Sequence, residues 1–68
     1  MKLIDILRRM LLADSISLYT EGRNVCYHIT VQDLLTDHLY RKFLDYEVTC
    51  IFGLVAGTIG VNVEKGED

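Results

Sequence analysis

The chain has 68 residues, half of them hydrophobic, and its 10 acidic and 7 basic side chains give a formal charge of −3 at pH 7. A domain of this length buries only about 60% of its unfolded surface, and small domains therefore rely on disulfides, a metal or a partner subunit. Two cysteines are too few for a disulfide scaffold. These numbers exclude a multidomain protein and a disulfide-rich one.

The sequence predicts neither a signal peptide nor a membrane segment. Charged residues within 1–5 interrupt the apolar run of a signal peptide, and the longest uncharged stretch, 48–63, is too short to span a bilayer. A pI near 5.2 argues against direct binding to nucleic acid. We expect nearby acids to pair with both basic pairs, 8–9 and 41–42. The expected product is one cytoplasmic domain over 1–64 with a polar tail over 65–68.

The first half of the chain predicts a helix followed by a β-hairpin. Apolar residues recur every three or four positions over 2–13, which is typical of an amphipathic helix. They alternate with polar residues over 16–21 and again over 25–31, which is the period of a β-strand. The intervening residues 22–24, Gly-Arg-Asn, tolerate positive φ and favour a tight turn.

The second half predicts another helix and another hairpin. Thr30 and Asp33 have the spacing of a capping box, which places a helix start there. We predict one helix to Leu44, although Asp37 is also able to recap the chain and split it into two short helices. Strands are predicted over 46–52 and 58–63.

A second turn is predicted between the last two strands, because a glycine stands at each end of the connection over 53–57. The fold class is therefore α+β, in the order helix-strand-strand-helix-strand-strand, with a four-stranded, mainly antiparallel sheet and both helices on one face. The other sheet face, here called the open face, is predicted to face solvent. By strict alternation it displays Ser17, Tyr19, Glu21, Cys26, His28, Thr30, Glu47, Thr49, Ile51, Thr58, Gly60 and Asn62.

Several short segments resemble those of small proteins from Gram-positive bacteria, their phages and integrated elements, a group to which no reaction is assigned. The matching segments are 1–7, 16–19 with the turn 22–24, 30–35, 44–48 and 59–64. They cover almost the whole chain and consist of patterning and capping signals. The resemblance implies an accessory protein of a phage or mobile element. The connection over 53–57 is more apolar than the polar turn expected in that group.

Candidate chemical groups are few. Cys26 and His28 are two residues apart on one predicted strand, as a thiolate site or a zinc site would require. Zinc needs three or four ligands, and the other candidates, Cys50 and His38, are predicted on the opposite sheet face and on the second helix. We therefore predict no metal and no cofactor, with Cys50 a buried hydrophobe and His38 a residue at the boundary between core and solvent. No catalytic constellation is visible, and the protein is predicted not to be an enzyme.

The main functional hypothesis is a protein-interaction module that works through the open face or a sheet edge. Its predicted anchors are Tyr19, His28 and Ile51, flanked by Cys26 and Thr49, on a flat and weakly charged surface. The expected partners are a second copy in a homodimer and a host or phage protein.

Two alternatives remain open at the level of the sequence. One is a small-ligand pocket formed between two subunits around Cys26 and His28. The other is an acidic mimic of nucleic acid that inhibits a host defence protein. The acids of this second hypothesis are Asp33, Asp37, Asp45, Glu47, Glu64, Glu67 and Asp68.

Overall fold

The computed structural model describes residues 1–54 and 57–66, and it confirms the predicted α+β class and element order. Two α-helices, one 3₁₀ helix and four strands make up this part of the chain. In chain order they are α1 (Leu3–Leu7), β1 (Ser15–Thr20), β2 (Arg23–Thr30), α2 (Val31–Thr36), the 3₁₀ helix (His38–Asp45), β3 (Glu47–Gly53) and β4 (Ile59–Glu64).

The four strands form one mixed sheet in the order β2-β1-β4-β3. Both hairpins are antiparallel, as predicted, and they are joined by a parallel pair between β1 and β4 at the centre. Alternation within single strands carries no information on which strands become neighbours, so the sequence left the strand order open. β2 and β3 are consequently the two edge strands.

One hydrophobic core lies between the helices and a single face of the sheet. Leu3, Leu7, Val31 and Leu34 from the two α-helices are at most 1% exposed. They share a cluster with fully buried residues of the two central strands, on the face opposite the open face. These strand residues are Ile16, Leu18, Val61 and Val63.

Helix α1 ends at Leu7, so the prediction of a helix over 2–13 is wrong for its second half. The chain beyond it instead makes hydrogen bonds to the start of α2. The carbonyl oxygens of Leu12 and Asp14 accept from the backbone amides of Gln32 and Val31, at 3.0 and 2.9 Å. These tertiary bonds replace the intrahelical bonds that periodicity alone predicts.

The second helical region is split at Asp37, so the single helix to Leu44 is wrong and the alternative of two short helices is correct. The Asp37 carboxylate accepts a hydrogen bond from the Leu39 amide at 3.0 Å, which caps the 3₁₀ helix. Of the predicted capping box at the start of α2, the Thr30 half is present, with the Thr30 hydroxyl accepting from the Asp33 amide at 3.1 Å.

The first turn lies one residue earlier than predicted. Thr20 pairs with Arg23, so Glu21 and Gly22 are the two turn residues, and both have positive φ, 52° and 75°. Two positive φ values are typical of the tight turn that matches the twist of a hairpin. The Glu21 amide donates to the Glu64 carboxylate at 3.1 Å, which ties this turn to the end of β4.

The predicted second connection over 53–57 includes residues 55 and 56, which lie outside the described residues, as do tail residues 67 and 68. On either side of the gap, the Leu54 amide donates to the Thr58 carbonyl at 3.0 Å, in register with the antiparallel pair of β3 and β4. All helices in the described part of the chain are too short to cross a membrane.

Candidate interaction surface

The open face differs from the predicted one because two strands contain β-bulges. A bulge places two residues of one strand opposite one residue of its neighbour, so the alternation of side chains shifts by one position. Strand periodicity in a sequence does not reveal a bulge unless a special residue marks it. The open face includes Ser17, Tyr19, His28, Thr49, Cys50, Phe52, Thr58, Gly60 and Asn62.

The bulge in β2 overturns the placement of Cys26. Ile29 pairs with Ile16, but Cys26 pairs with Leu18, so three steps along β2 match two along β1. His28 lies within this irregularity with a φ of 55°. Cys26 is therefore 8% exposed on the core side, and the prediction that it lies on the open face beside His28 is wrong.

The bulge in β3 overturns the placement of Ile51. Val48 pairs with Val63 on the core side, whereas Cys50 pairs with Asn62 on the open face, which leaves Thr49 as the extra residue. Ile51 pairs with the buried Val61 and so lies on the helix side of the sheet, 53% exposed. The predicted anchor Ile51 is not part of the open face.

The same bulge brings Cys50 and Phe52 onto the open face. Phe52 pairs with Gly60, which in turn pairs with Ser17. Cys50 is exposed, so the prediction of a buried hydrophobe is wrong. Both side chains were expected in the core because strict alternation grouped them with Val48.

Tyr19 and Phe52 form an aromatic pair at the centre of the open face. Their ring centroids are 5.3 Å apart with the planes tilted by 50°. The Phe52 ring lies directly over Gly60, where a Cβ atom would overlap it. A glycine within a predicted strand is a signal of such a close approach, and it is the one feature of the sequence that could have located Phe52.

His28 lies at one end of the aromatic pair and closes the face over Ser17. Its Nδ1 is 2.7 Å from the Thr58 hydroxyl, and its backbone amide donates to the Ser17 hydroxyl at 3.0 Å. The side chain thus reaches from β2 across β1 to the residue before β4, which explains why Ser17 is fully buried and Thr58 only 4% exposed. Both contacts are structural, since the Ser17 and Thr58 residues that make them are buried.

Thr49 lies at the other end and is held by Asn62. The Asn62 amide donates to the Thr49 hydroxyl at 2.7 Å and to the Glu64 carboxylate at 3.1 Å. The Thr49 hydroxyl in turn donates to the Asn62 carbonyl at 3.2 Å. The open face therefore has an aromatic centre between two hydrogen-bonded polar ends.

The register shift at His28 also separates the groups that could have formed a metal or thiol site. Cys26 and His28 are on opposite sides of the sheet, and no group of three metal-binding side chains occurs within 1–54 and 57–66. Burial raises the pKa of the Cys26 thiol, against a smaller opposing effect of a hydrogen bond with the Leu18 backbone. Such a thiol is an unreactive core residue, which removes the predicted pocket around Cys26 and His28.

The charged side chains differ from expectation in how they pair. In the described ranges, an ion pair joins the Met1 ammonium group to Glu47 at 3.0 Å, and the Nδ1 atom of His38 lies 4.0 Å from the Asp37 carboxylate. The expected pairing of 8–9 and 41–42 with acids is wrong for this part of the chain. His38 has an 84% exposed side chain, so it is a solvent-exposed residue and not a boundary one.

Several acids of the mimicry hypothesis have local structural roles. Asp37 caps a helix, Glu47 pairs with the Met1 ammonium group, and Glu64 accepts from Glu21 and Asn62. These three carboxylates are held by separate elements of the fold. Such an arrangement differs from the regular row of free charges that a copy of the phosphate backbone needs.

Comparison of the chain with protein-family models, with curated proteins and with solved structures finds no match.

Proposed function

We propose that the protein is a non-enzymatic interaction module that binds another protein through its open face. The observation that carries this proposal is the aromatic pair of Tyr19 and Phe52 on the face that no helix of residues 1–54 and 57–66 covers. Aromatic side chains at the centre of a patch, surrounded by polar groups, are the usual energetic centre of a protein interface. Of the three predicted anchors, Tyr19 and His28 belong to this surface and Ile51 does not. Of the two flanking residues, Thr49 belongs to it and Cys26 does not.

The polar ends of the face support binding without chemistry. His28 already occupies both hydroxyl groups: its backbone amide donates to the Ser17 hydroxyl, and its Nδ1 atom is hydrogen-bonded to the Thr58 hydroxyl. A nucleophile needs an accessible hydroxyl or thiolate beside a base, and the Thr58 hydroxyl is covered while Cys50 has no histidine on its strand or its neighbour β4. The face offers shape and an apolar centre to a partner.

We extend the proposal to the setting of the protein: an accessory protein of a phage or mobile element, acting in the cytoplasm on a host or phage protein. The 7 basic side chains are outnumbered by 10 acidic ones, and the resulting net charge of −3 supports a protein partner over nucleic acid. No role for a cofactor follows from the surface.

The test compares two charge-introducing variants in capture experiments from host lysate. Tyr19→Lys places a charge at the centre of the open face, while Leu39→Lys replaces a 64% exposed leucine on the 3₁₀ helix as the matched control. A partner of the open face is recovered with the parent and with Leu39→Lys and is reduced at least about tenfold with Tyr19→Lys. Equal recovery with both variants, each shown to be folded by circular dichroism, would contradict the proposal.

A further inference from the structure

The outer edge of β3 is covered at its start and uncovered from the bulge onward. The Leu3 amide donates to the Tyr46 carbonyl at 3.0 Å, and the Val48 amide donates to the Met1 carbonyl at 2.8 Å. Residues Met1–Leu3 thus occupy the edge as far as Val48. Within the described ranges, no strand lies beside the remaining five residues of β3, from Thr49 to Gly53.

The uncovered edge directs the backbone groups of Ile51 outward. Backbone groups of successive strand residues point to opposite sides, and the Leu54 amide points inward to Thr58, which immediately precedes β4. Phe52 and Cys50 stand two and four residues before Leu54, so their backbone amide and carbonyl groups also point inward to β4. Ile51, between them, therefore presents its amide and carbonyl to solvent, and its side chain is also 53% exposed.

Beyond the bulge at Thr49, the described part of this edge is an available template for another strand because its residues lack the usual protection. Natural edge strands are usually protected by charges, proline or bulges. Beyond Thr49 the segment is Cys-Ile-Phe-Gly, which contains none of these. The other edge strand, β2, carries Arg23, two register shifts and the positive φ of His28, so it is protected.

The uncovered segment is self-complementary about its middle residue, Ile51. In an antiparallel pair of two copies centred there, Ile51 faces Ile51 and Cys50 faces Phe52, and each of these pairs shares one side of the sheet. Centring the pair on Cys50 would place Ile51 opposite Thr49, which is on the other side. Met1 at Val48 limits the pairing to the same five residues in both copies.

We propose that a second copy of this chain binds at the β3 edge, so that two four-stranded sheets join across a two-fold axis at Ile51. The inference rests on the proposed interaction role but names a different surface, because Ile51 is on the helix side and not on the open face. No charged side chain lies within 49–53, so the two copies bring no like charges together at this edge. The contact is small compared with a standard interface, and we expect a dissociation constant of about 0.1 mM.

The first test is sedimentation equilibrium of the full chain over about 10 μM to about 1 mM, bracketing the expected dissociation constant. Ile51→Lys places two ammonium groups opposite each other and should raise the dissociation constant at least about tenfold. Leu11→Lys, at a leucine 73% exposed outside the sheet, is the matched control and should dimerise like the parent. A monomeric parent over the whole range, or equal dimerisation of both variants, would overturn the proposal.

The second test fixes the register by disulfide formation with oxidised glutathione as the oxidant. Directly opposite, hydrogen-bonded residues have Cα atoms about 5.5 Å apart, within the span of a disulfide. In a Cys50→Ser background, Ile51→Cys should therefore give a covalent dimer and Leu11→Cys should not. Faster cross-linking of the parent through Cys50 than of the Ile51→Cys variant would reject the axis at Ile51.

The two proposals fail separately. Tyr19 is on the central strand β1 and Ile51 on the edge strand β3, on opposite sides of the sheet. Tyr19→Lys should leave dimerisation unchanged, and Ile51→Lys should leave the capture of an open-face partner unchanged. Dimerisation lost in Tyr19→Lys but kept in Ile51→Lys would place self-association on the open face and overturn the edge assignment.

Discussion

Gly60 shows how a single residue organises the open face. It lacks a side chain where β4 crosses the centre of the sheet, and the Phe52 ring fills this space and reaches Tyr19. Gly60 has no positive φ, so its requirement is one of space and not of backbone conformation. The aromatic pair proposed to bind a partner therefore depends on the absence of one methyl group.

Gly60→Ala should displace the Phe52 ring from Tyr19 and lower the free energy of unfolding by about 1 kcal/mol, the usual value of an aromatic pair. Urea denaturation measures the loss, and the NMR ring-current shift of Tyr19 reports the displacement. The matched control is Gly53→Ala, a strand glycine around which there is open space. Equal stability of the two variants would show that the ring does not depend on Gly60.

The short helices owe their ends to individual side chains more than to periodicity. Thr30 and Asp33 were recognisable from their spacing, and the structure has that cap. Asp37 carries a similar signal, but the apolar repeat through 34–44 favoured one continuous helix over its break. The end of α1 has no comparable local signal, because its competing bonds come from Gln32 and Val31, distant in sequence.

The sequence predicts the positions of the strands to within about two residues. It does not predict on which side of the sheet each side chain lies. Tyr19 and Thr49 were assigned to the open face correctly, since they stand before any bulge or within it. Cys26 and Ile51 stand beyond a bulge and were assigned to the wrong side. Bulges depend on the fit between neighbouring strands, which no single strand encodes.

Asp37→Ala should lower the free energy of unfolding by about 1 kcal/mol, because it removes the cap of the 3₁₀ helix. Asp37→Asn keeps an oxygen for the Leu39 amide and should lose at most about half of that amount. Neither variant keeps the contact with His38, whose exposure already makes it weak. Equal losses in the two variants, measured by urea denaturation, would mean that the carboxylate charge, and not the cap, stabilises this region.

On the scale of the whole molecule, the sheet separates the two thiols into different environments. Cys50 is exposed on the open face, while Cys26 is buried in the core. The reactivity of each thiol therefore shows which side of the sheet its side chain faces. Measured together, the two reactivities test the register shift at His28 in β2 and the one at Thr49 in β3.

Ellman's reagent should modify Cys50 rapidly and Cys26 only at the rate of unfolding, with Cys50→Ser removing the fast phase. Because burial raises the pKa of the Cys26 thiol, the unfolded chain loses this proton at a lower pH than the folded one. The thiol's contribution to stability is thus complete below about pH 8.5 and declines as the pH rises further. The thermal unfolding midpoint of the parent should therefore fall more steeply than that of Cys26→Ala between about pH 7 and about pH 10. Parallel curves of midpoint against pH would place Cys26 outside the core.

The parallel pair of β1 and β4 also has a consequence for synthesis on the ribosome. β1 is made early, but its second neighbour is the last strand, and the Glu21–Glu64 contact joins positions 43 residues apart. An emerging chain can form its first hairpin but leaves the inner edge of β1 unpaired until β4 has left the exit tunnel. A chain that stops before Ile59 therefore lacks the strand that joins β1 to β3, and it leaves the inner edge of β1 unpaired.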